Sequence, residues 1–146
     1  LQQEADEPIT IYINSPGGEI NAGLMIYDAI NACSVPVNVV CTGLCASMAA
    51  ILLTGGNEGR RYILPHSNVM IHEPLIAGGL GGSATSIKNI SESIQNTKEI
   101  INDILQKHTG RTKEEIEEAT SFDNYMNAEE AIKFGLCDAI AETLEV

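Results

Sequence analysis

The sequence predicts an α/β domain with a mostly parallel sheet, and three observations lead there. Short β-branched or apolar runs recur at residues 9–13, 37–41 and 68–72. The stretches between and after them carry helical spacing or end in helix-stop residues, so strand alternates with helix along the chain. The chain is 146 residues long, 44% hydrophobic and 19% charged. That suits one domain, residues 1–146, large enough to bury about 68% of its unfolded surface without disulfides or metals.

Each element has a local cause. Ile9-Thr10-Ile11-Tyr12-Ile13 alternates and is rich in β-branched residues, which favours a strand. Asn14-Ser15-Pro16-Gly17-Gly18 breaks it, and residues 22–32 follow as a helix with Leu24, Tyr27 and Ile30 near helical spacing. Val35-Pro36 restarts the chain for a second strand, 37–41. Thr42-Gly43-Leu44-Cys45-Ala46 reads as a turn into a small-residue helix over 47–54, stopped by Gly55-Gly56. A third strand over 68–72 ends before Pro74. After the glycine-rich stretch Gly78-Gly79-Leu80-Gly81-Gly82, Ser83 can cap a long helix from 84 to about 108. Its Ile87, Ile90, Ile94, Ile101 and Leu105 form one apolar stripe, and Gly110 ends it. Thr112 with Glu115 and Asn127 with Glu130 fit capping boxes for helices over 113–119 and 128–134. Gly135 stops the second, and Asp138 begins a last strand.

Charge excludes some functions. Eight Lys and Arg stand against twenty Asp and Glu, a net charge of −12. Nucleic acid and anionic membrane both need clustered cations, so neither is an expected partner. No apolar run approaches the roughly 18 residues of a membrane span. The first ten residues, LQQEADEPIT, lack the pattern of a secretory leader, and a cytoplasmic setting is expected. Cys33, Cys41, Cys45 and Cys137 form no C-x-x-C pair, so they read as small buried residues and no metal site is expected.

Three places carry the residue types of acyl-transfer chemistry. Ser47 sits where a strand turns into a helix, in the positive field of unused backbone N–H groups; the plainer reading is a helix cap. His72 closes an apolar strand at the edge where parallel sheets build sites. His66 lies in a turn, and His108 at a helix end suits a cation there, so His72 is the histidine placed like a general base. A buried structural role is the alternative for His72. Gly17-Gly18 can expose backbone N–H groups to an oxyanion, or simply turn the chain. An orienting acid would come from Asp123, in an irregular stretch between two capped helices, with Asp138 as second choice. Asp28 and Asp103 fall within helices, and Asp6 lies near the chain start.

Together these segments resemble the proteolytic subunit of the ATP-dependent Clp protease. The resemblance is carried by Tyr12-Ile-Asn-Ser-Pro-Gly-Gly18, Gly23-Leu-Met-Ile-Tyr-Asp28 and Gly43-Leu-Cys-Ala-Ser-Met48. It continues through Leu64-Pro-His-Ser-Asn-Val-Met-Ile-His-Glu-Pro-Leu75, His108-Thr-Gly110 and Tyr125-Met-Asn-Ala-Glu-Glu-Ala131. It implies a crotonase-like fold of repeated ββα units with a long protruding handle helix, and a serine endopeptidase. Ser47 would be the nucleophile, His72 the general base and Asp123 its orienting acid, with the backbone N–H groups of Gly18 and Met48 as oxyanion hole. Gly78, Gly79, Leu80, Gly81 and Gly82 would pair with extended substrate. The resemblance implies no metal and no cofactor in this chain; ATP is used by a hexameric AAA+ unfoldase of the Clp type, which feeds unfolded polypeptide into two stacked heptameric rings of this subunit. Tyr12 and Tyr62 match part of the family's docking surface for that partner.

Three departures and two alternatives accompany this reading. The family's N-terminal segment has no counterpart before Ile9, so a fragment or shortened member is expected, with ring assembly and unfoldase docking dependent on it. The glycine stretch is slightly longer than in familiar members. Cys45 replaces a small residue beside the nucleophile turn, as buried filler or as a thiol open to oxidation. One alternative is a crotonase-type acyl-CoA hydratase or isomerase, in which the same oxyanion hole would hold an enolate. The other is an inactive ring partner or fragment.

Overall fold

The computed structural model describes residues 6–146; residues 1–5, the first half of the acidic start, lie outside the described residues. In chain order the elements are β1 (Ile9–Ser15), α1 (Ile20–Asn31), β2 (Val37–Ala46), α2 (Met48–Thr54), β3 (Arg61–Ile63), β4 (Asn68–Ile71), α3 (Ala84–Thr109), α4 (Lys113–Thr120), β5 (Asn124–Asn127), α5 (Ala128–Phe134) and β6 (Ala139–Ile140). The sheet runs β5-β4-β2-β3-β6, with β1 also on β2. All pairings are parallel except β4 with β5.

β2 is the spine. It is covered on both faces, which is why its first five residues are all buried and include three valines. β1 runs beside it from Ile9 opposite Val37 to Ile13 opposite Cys41. Its early half pairs β3 and its late half, Leu44 to Ala46, pairs β4. The exchange of partners happens at Gly43, whose φ of +100° only glycine adopts cheaply. Gly43 N–H donates to Ser67 Oγ at 2.7 Å and Leu44 N–H donates to Asn14 Oδ1 at 3.2 Å. Side chains thus satisfy the groups that the bend takes out of the ladder. The sequence reading ends this strand at Cys41; in the structure the strand bends and continues to Ala46.

Two strands have no counterpart in the sequence reading. β3 and β5 are three and four residues long and exist through their partners, not through any periodicity of their own. The caps do follow from sequence. Ser83 Oγ accepts from Ser86 N–H at 3.1 Å, and both capping boxes form. Gly110 and Gly135 end their helices. α1 starts before residue 22 because the Glu19 carboxylate caps it, accepting from Asn21 and Ala22 N–H at 2.9 and 2.7 Å.

The stripe on α3 divides. Ile101 and Leu105 are buried where the helix packs on α2 and α4. Ile87 and Ile90 are exposed, so the first turns stand clear of the domain. The cysteines also divide: Cys41, Cys45 and Cys137 are buried and free, whereas Cys33 is exposed, against the expectation of four buried thiols. Cys45 is in contact with Cys41 and has no accessible surface; that contact and its burial push its thiol far up. Among the described residues no helix is long and apolar enough to cross a membrane, and no group of three or more His, Cys, Asp or Glu is placed to hold a metal ion.

Candidate active site

Ser47 sits between the end of β2 and the start of α2, with φ +57° and ψ −121°. A non-glycine residue in such a conformation is held there by its surroundings. Its N–H donates to Met70 O at 2.9 Å, and its carbonyl accepts from Ala50 N–H at 3.0 Å. Backbone bonds on both sides therefore fix the turn. Its hydroxyl makes no capping bond to α2. The plain cap reading fails on that point: Ser47 stands at the cap position, but Oγ turns the other way, to His72 Nε2 at 2.9 Å.

His72 is the first residue beyond β4 and Asp123 the last before β5. These strands pair antiparallel with Ile71 opposite Asn124, so one step further along the same register sets His72 opposite Asp123. Asp123 Oδ1 lies 3.3 Å from His72 Nδ1, somewhat beyond a well-formed N–H···O bond. A carboxylate on that side favours the tautomer with the proton on Nδ1, leaving Nε2 to accept the Ser47 proton. The imidazole is 16% exposed and the carboxylate 67%.

The Gly17-Gly18 turn packs on this junction. Gly17 has φ +98°, and a Cβ there would stand 2.7 Å from Ala46 O and 2.8 Å from Ser47 Cβ. Gly17 N–H is held by Ser15 Oγ at 3.1 Å. The position that demands glycine is therefore Gly17, while a Cβ on Gly18 would meet open space. Met48 is the first residue of α2, and its N–H belongs to the set a helix leaves unused. Sequence reasoning named Gly18 and Met48 and missed Gly17; its doublet was visible, but which glycine touches the serine is a tertiary fact.

Beside Ser47 and His72 lies a small apolar hollow of about 20 Å³, walled by Ile20, Met48, Pro74, Ile101 and Leu105. Past Pro74, residues 78–82 are irregular and exposed. A Cβ at Gly78, Gly79 or Gly81 would touch nothing within 4 Å, so no packing covers this backbone.

The second-choice acid belongs elsewhere. Asp138 binds Arg61 through both oxygens, at 2.7 and 2.9 Å. Burial would raise its carboxyl, but the Arg61 guanidinium holds it below the usual range. His108 accepts or shares a proton with Tyr27 OH at 2.6 Å. Burial first, then Arg61 and Lys107, hold it down to about 4, so it is neutral and not the cation expected at a helix end. A larger cavity, about 410 Å³, opens beside these groups and is unconnected with Ser47. His66 is exposed in a turn, Asp28 and Asp103 are exposed on helices, and Asp6 lies ahead of β1.

The arrangement at Ser47 offers a hydroxyl with a proton acceptor, an acceptor with an acid behind it, and unused N–H groups alongside. The family model described as Clp protease matches residues 1–144 of the chain.

Proposed function

The chain belongs to the Clp protease family, and from that premise we propose that it is the serine endopeptidase core of an ATP-dependent Clp protease, with Ser47, His72 and Asp123 as its triad. The observation that carries this is the 2.9 Å contact between His72 Nε2 and a serine Oγ that caps nothing. Ser47 Oγ attacks the scissile carbonyl while His72 Nε2 takes its proton. His72 then returns that proton to the leaving amine, freeing the first peptide and leaving an ester on Ser47. Water attacks the ester by the same relay. Asp123 keeps the proton on Nδ1 and stabilises the imidazolium that forms at each step. The N–H groups of Gly18 and Met48 receive the tetrahedral oxyanion, and losing one such donor costs about 2.7–4 kcal/mol.

The rest of the reading follows from the family. The fold is crotonase-like, α3 is the handle, and its exposed first turns interlock with a copy in the opposite of two stacked heptameric rings. Residues 78–82 pair with extended, unfolded polypeptide by strand addition. An AAA+ unfoldase spends the ATP and docks near Tyr12 and Tyr62; this chain itself needs no cofactor and no metal, and works in the cytoplasm. An acyl-CoA hydratase would leave the Ser47–His72 contact without a task. The test is hydrolysis of fluorogenic peptides and of unfolded casein by the full chain, with and without a Clp-type unfoldase and ATP. Peptide cleavage by the wild type that Ser47→Ala removes is the expected result. Cleavage that survives Ser47→Ala would refute the assignment.

A further inference from the structure

His72 lies one step beyond the β4 ladder: the register sets it opposite Asp123, but no ladder pairing of its own holds it. Its neighbour does so from two sides. Glu73 N–H donates to Thr120 O at 2.8 Å, tying the segment to the end of α4. Glu73 Oε2 pairs with Lys98 Nζ at 2.9 Å, tying it to α3. Lys98 stands three and seven residues before Ile101 and Leu105, so all three share the face of α3 turned to the site. The pair is partly screened, with side chains 28% and 45% exposed, and Glu73 holds the Lys98 ammonium above its usual range. Lys98 also feels Glu117 of α4. By contrast Lys88 and Glu92, further out on the same helix, are 3.9 Å apart and exposed.

We propose that the Glu73–Lys98 ion pair positions His72: it clamps the residue after the histidine to the buried half of α3, and so transmits the seating of that helix to the Ser47–His72 contact. This rests on the peptidase reading. Neither residue touches substrate or the reacting atoms. Their effect passes through His72, whose contact with Asp123 is already long at 3.3 Å and has little slack. A misplacement on the order of 1 Å can cost about 100-fold in rate.

The experiment uses the full chain in four forms: wild type, Lys98→Met, the charge swap Glu73→Lys with Lys98→Glu, and Lys88→Met as control. Two quantities are read: kcat and KM for a short peptide, and amide hydrogen exchange of the segment 70–76. Lys98→Met is expected to lower kcat about tenfold with KM within about twofold, and to speed exchange at Glu73. The swap is expected to recover most of both losses, and Lys88→Met to change neither. Unchanged kcat and exchange in Lys98→Met would overturn the proposal, as would a loss the swap does not repair while its helix content is intact. If the wild type proves inert, the peptidase reading falls by itself, and the clamp is judged on exchange alone: faster in Lys98→Met upholds it, unchanged overturns it.

Discussion

Both ends of the parallel sheet bring together a hydroxyl, an imidazole and a carboxylate, and the two groupings behave in opposite ways. At the amino ends of the strands stand Tyr27, His108 and Asp138, with Arg61 among them. The charged groups are paired with each other, and Tyr27 OH meets His108 Nε2. Arg61 binds both oxygens of Asp138 and donates to the carbonyls of His108 and Gly135. His108 is held neutral to about pH 4. At the carboxyl ends stand Ser47, His72 and Asp123. Here Ser47 has a strained backbone and a hydroxyl with one partner, while Asp123 is exposed and about 3.3 Å from the ring. The first grouping has spent its capacity on the fold. The second keeps spare bonding capacity and a backbone that only its neighbours hold in place, which is what a group that must gain and lose protons requires.

Five substitutions press on that difference. The largest effect is expected at the carboxyl end, from Asp123→Asn. The amide leaves the geometry alone but favours the wrong tautomer, so kcat should fall about 10³–10⁴-fold with melting temperature nearly unchanged. Stopped assays on peptide substrate beside a thermal melt would check both halves. Gly17→Ala comes next. A Cβ there meets the Ala46 carbonyl and Ser47 at under 3 Å on a backbone of φ +98°. We expect about 10²–10³-fold off kcat, the size of a lost oxyanion donor, whereas Gly18→Ala, with open space around it, should cost far less.

At the amino end the effects move to stability. Arg61→Met leaves the Asp138 carboxylate unpaired and removes two carbonyl bonds, for a loss of about 3 kcal/mol in urea denaturation with kcat of the folded enzyme little changed. A kcat collapse in folded Arg61→Met would erase the distinction between the two ends. The smallest effect is the pH dependence set by His108. Its folded pKa is lowered to about 4 from 6.5. The unfolded chain therefore binds the proton more readily, and the stability from this site is complete above pH 6.5 and lost as pH falls towards 4. Allowing for partial exposure, the loss is on the order of 1–2 kcal/mol. Urea midpoints at pH 7.5, 6 and 5 should fall more steeply for the wild type than for His108→Gln.

The two ends were also unequally legible in the sequence. Ser47 and His72 stood as candidates from their places at a strand–helix junction and a strand end, beside the plainer readings of a helix cap and a structural histidine. The capping boxes of α4 and α5 and the Ser83 cap of α3 were legible because local pattern sets them. With Asp138 second, Asp123 was the first choice among five acids only because it lies in an irregular stretch. The register that brings it to His72 belongs to β5, a four-residue strand with no pattern of its own. The bend at Gly43 looked like a strand end because the side-chain acceptors that satisfy its N–H groups, Ser67 and Asn14, lie 24 and 30 positions away. The Arg61 network, Gly17's contact with Ser47 and the Glu73–Lys98 clamp are likewise long-range pairings that no periodicity announces.

The central claim is that the serine at the carboxyl end is activated. Intact-mass detection of a fluorophosphonate adduct on the full chain tests it most directly, with wild type beside Ser47→Ala. One adduct per chain on the wild type and none on Ser47→Ala is the predicted result, with Asp123→Asn labelled far more slowly. A wild type that stays unmodified, or a Ser47→Ala protein that labels as fast, would contradict it.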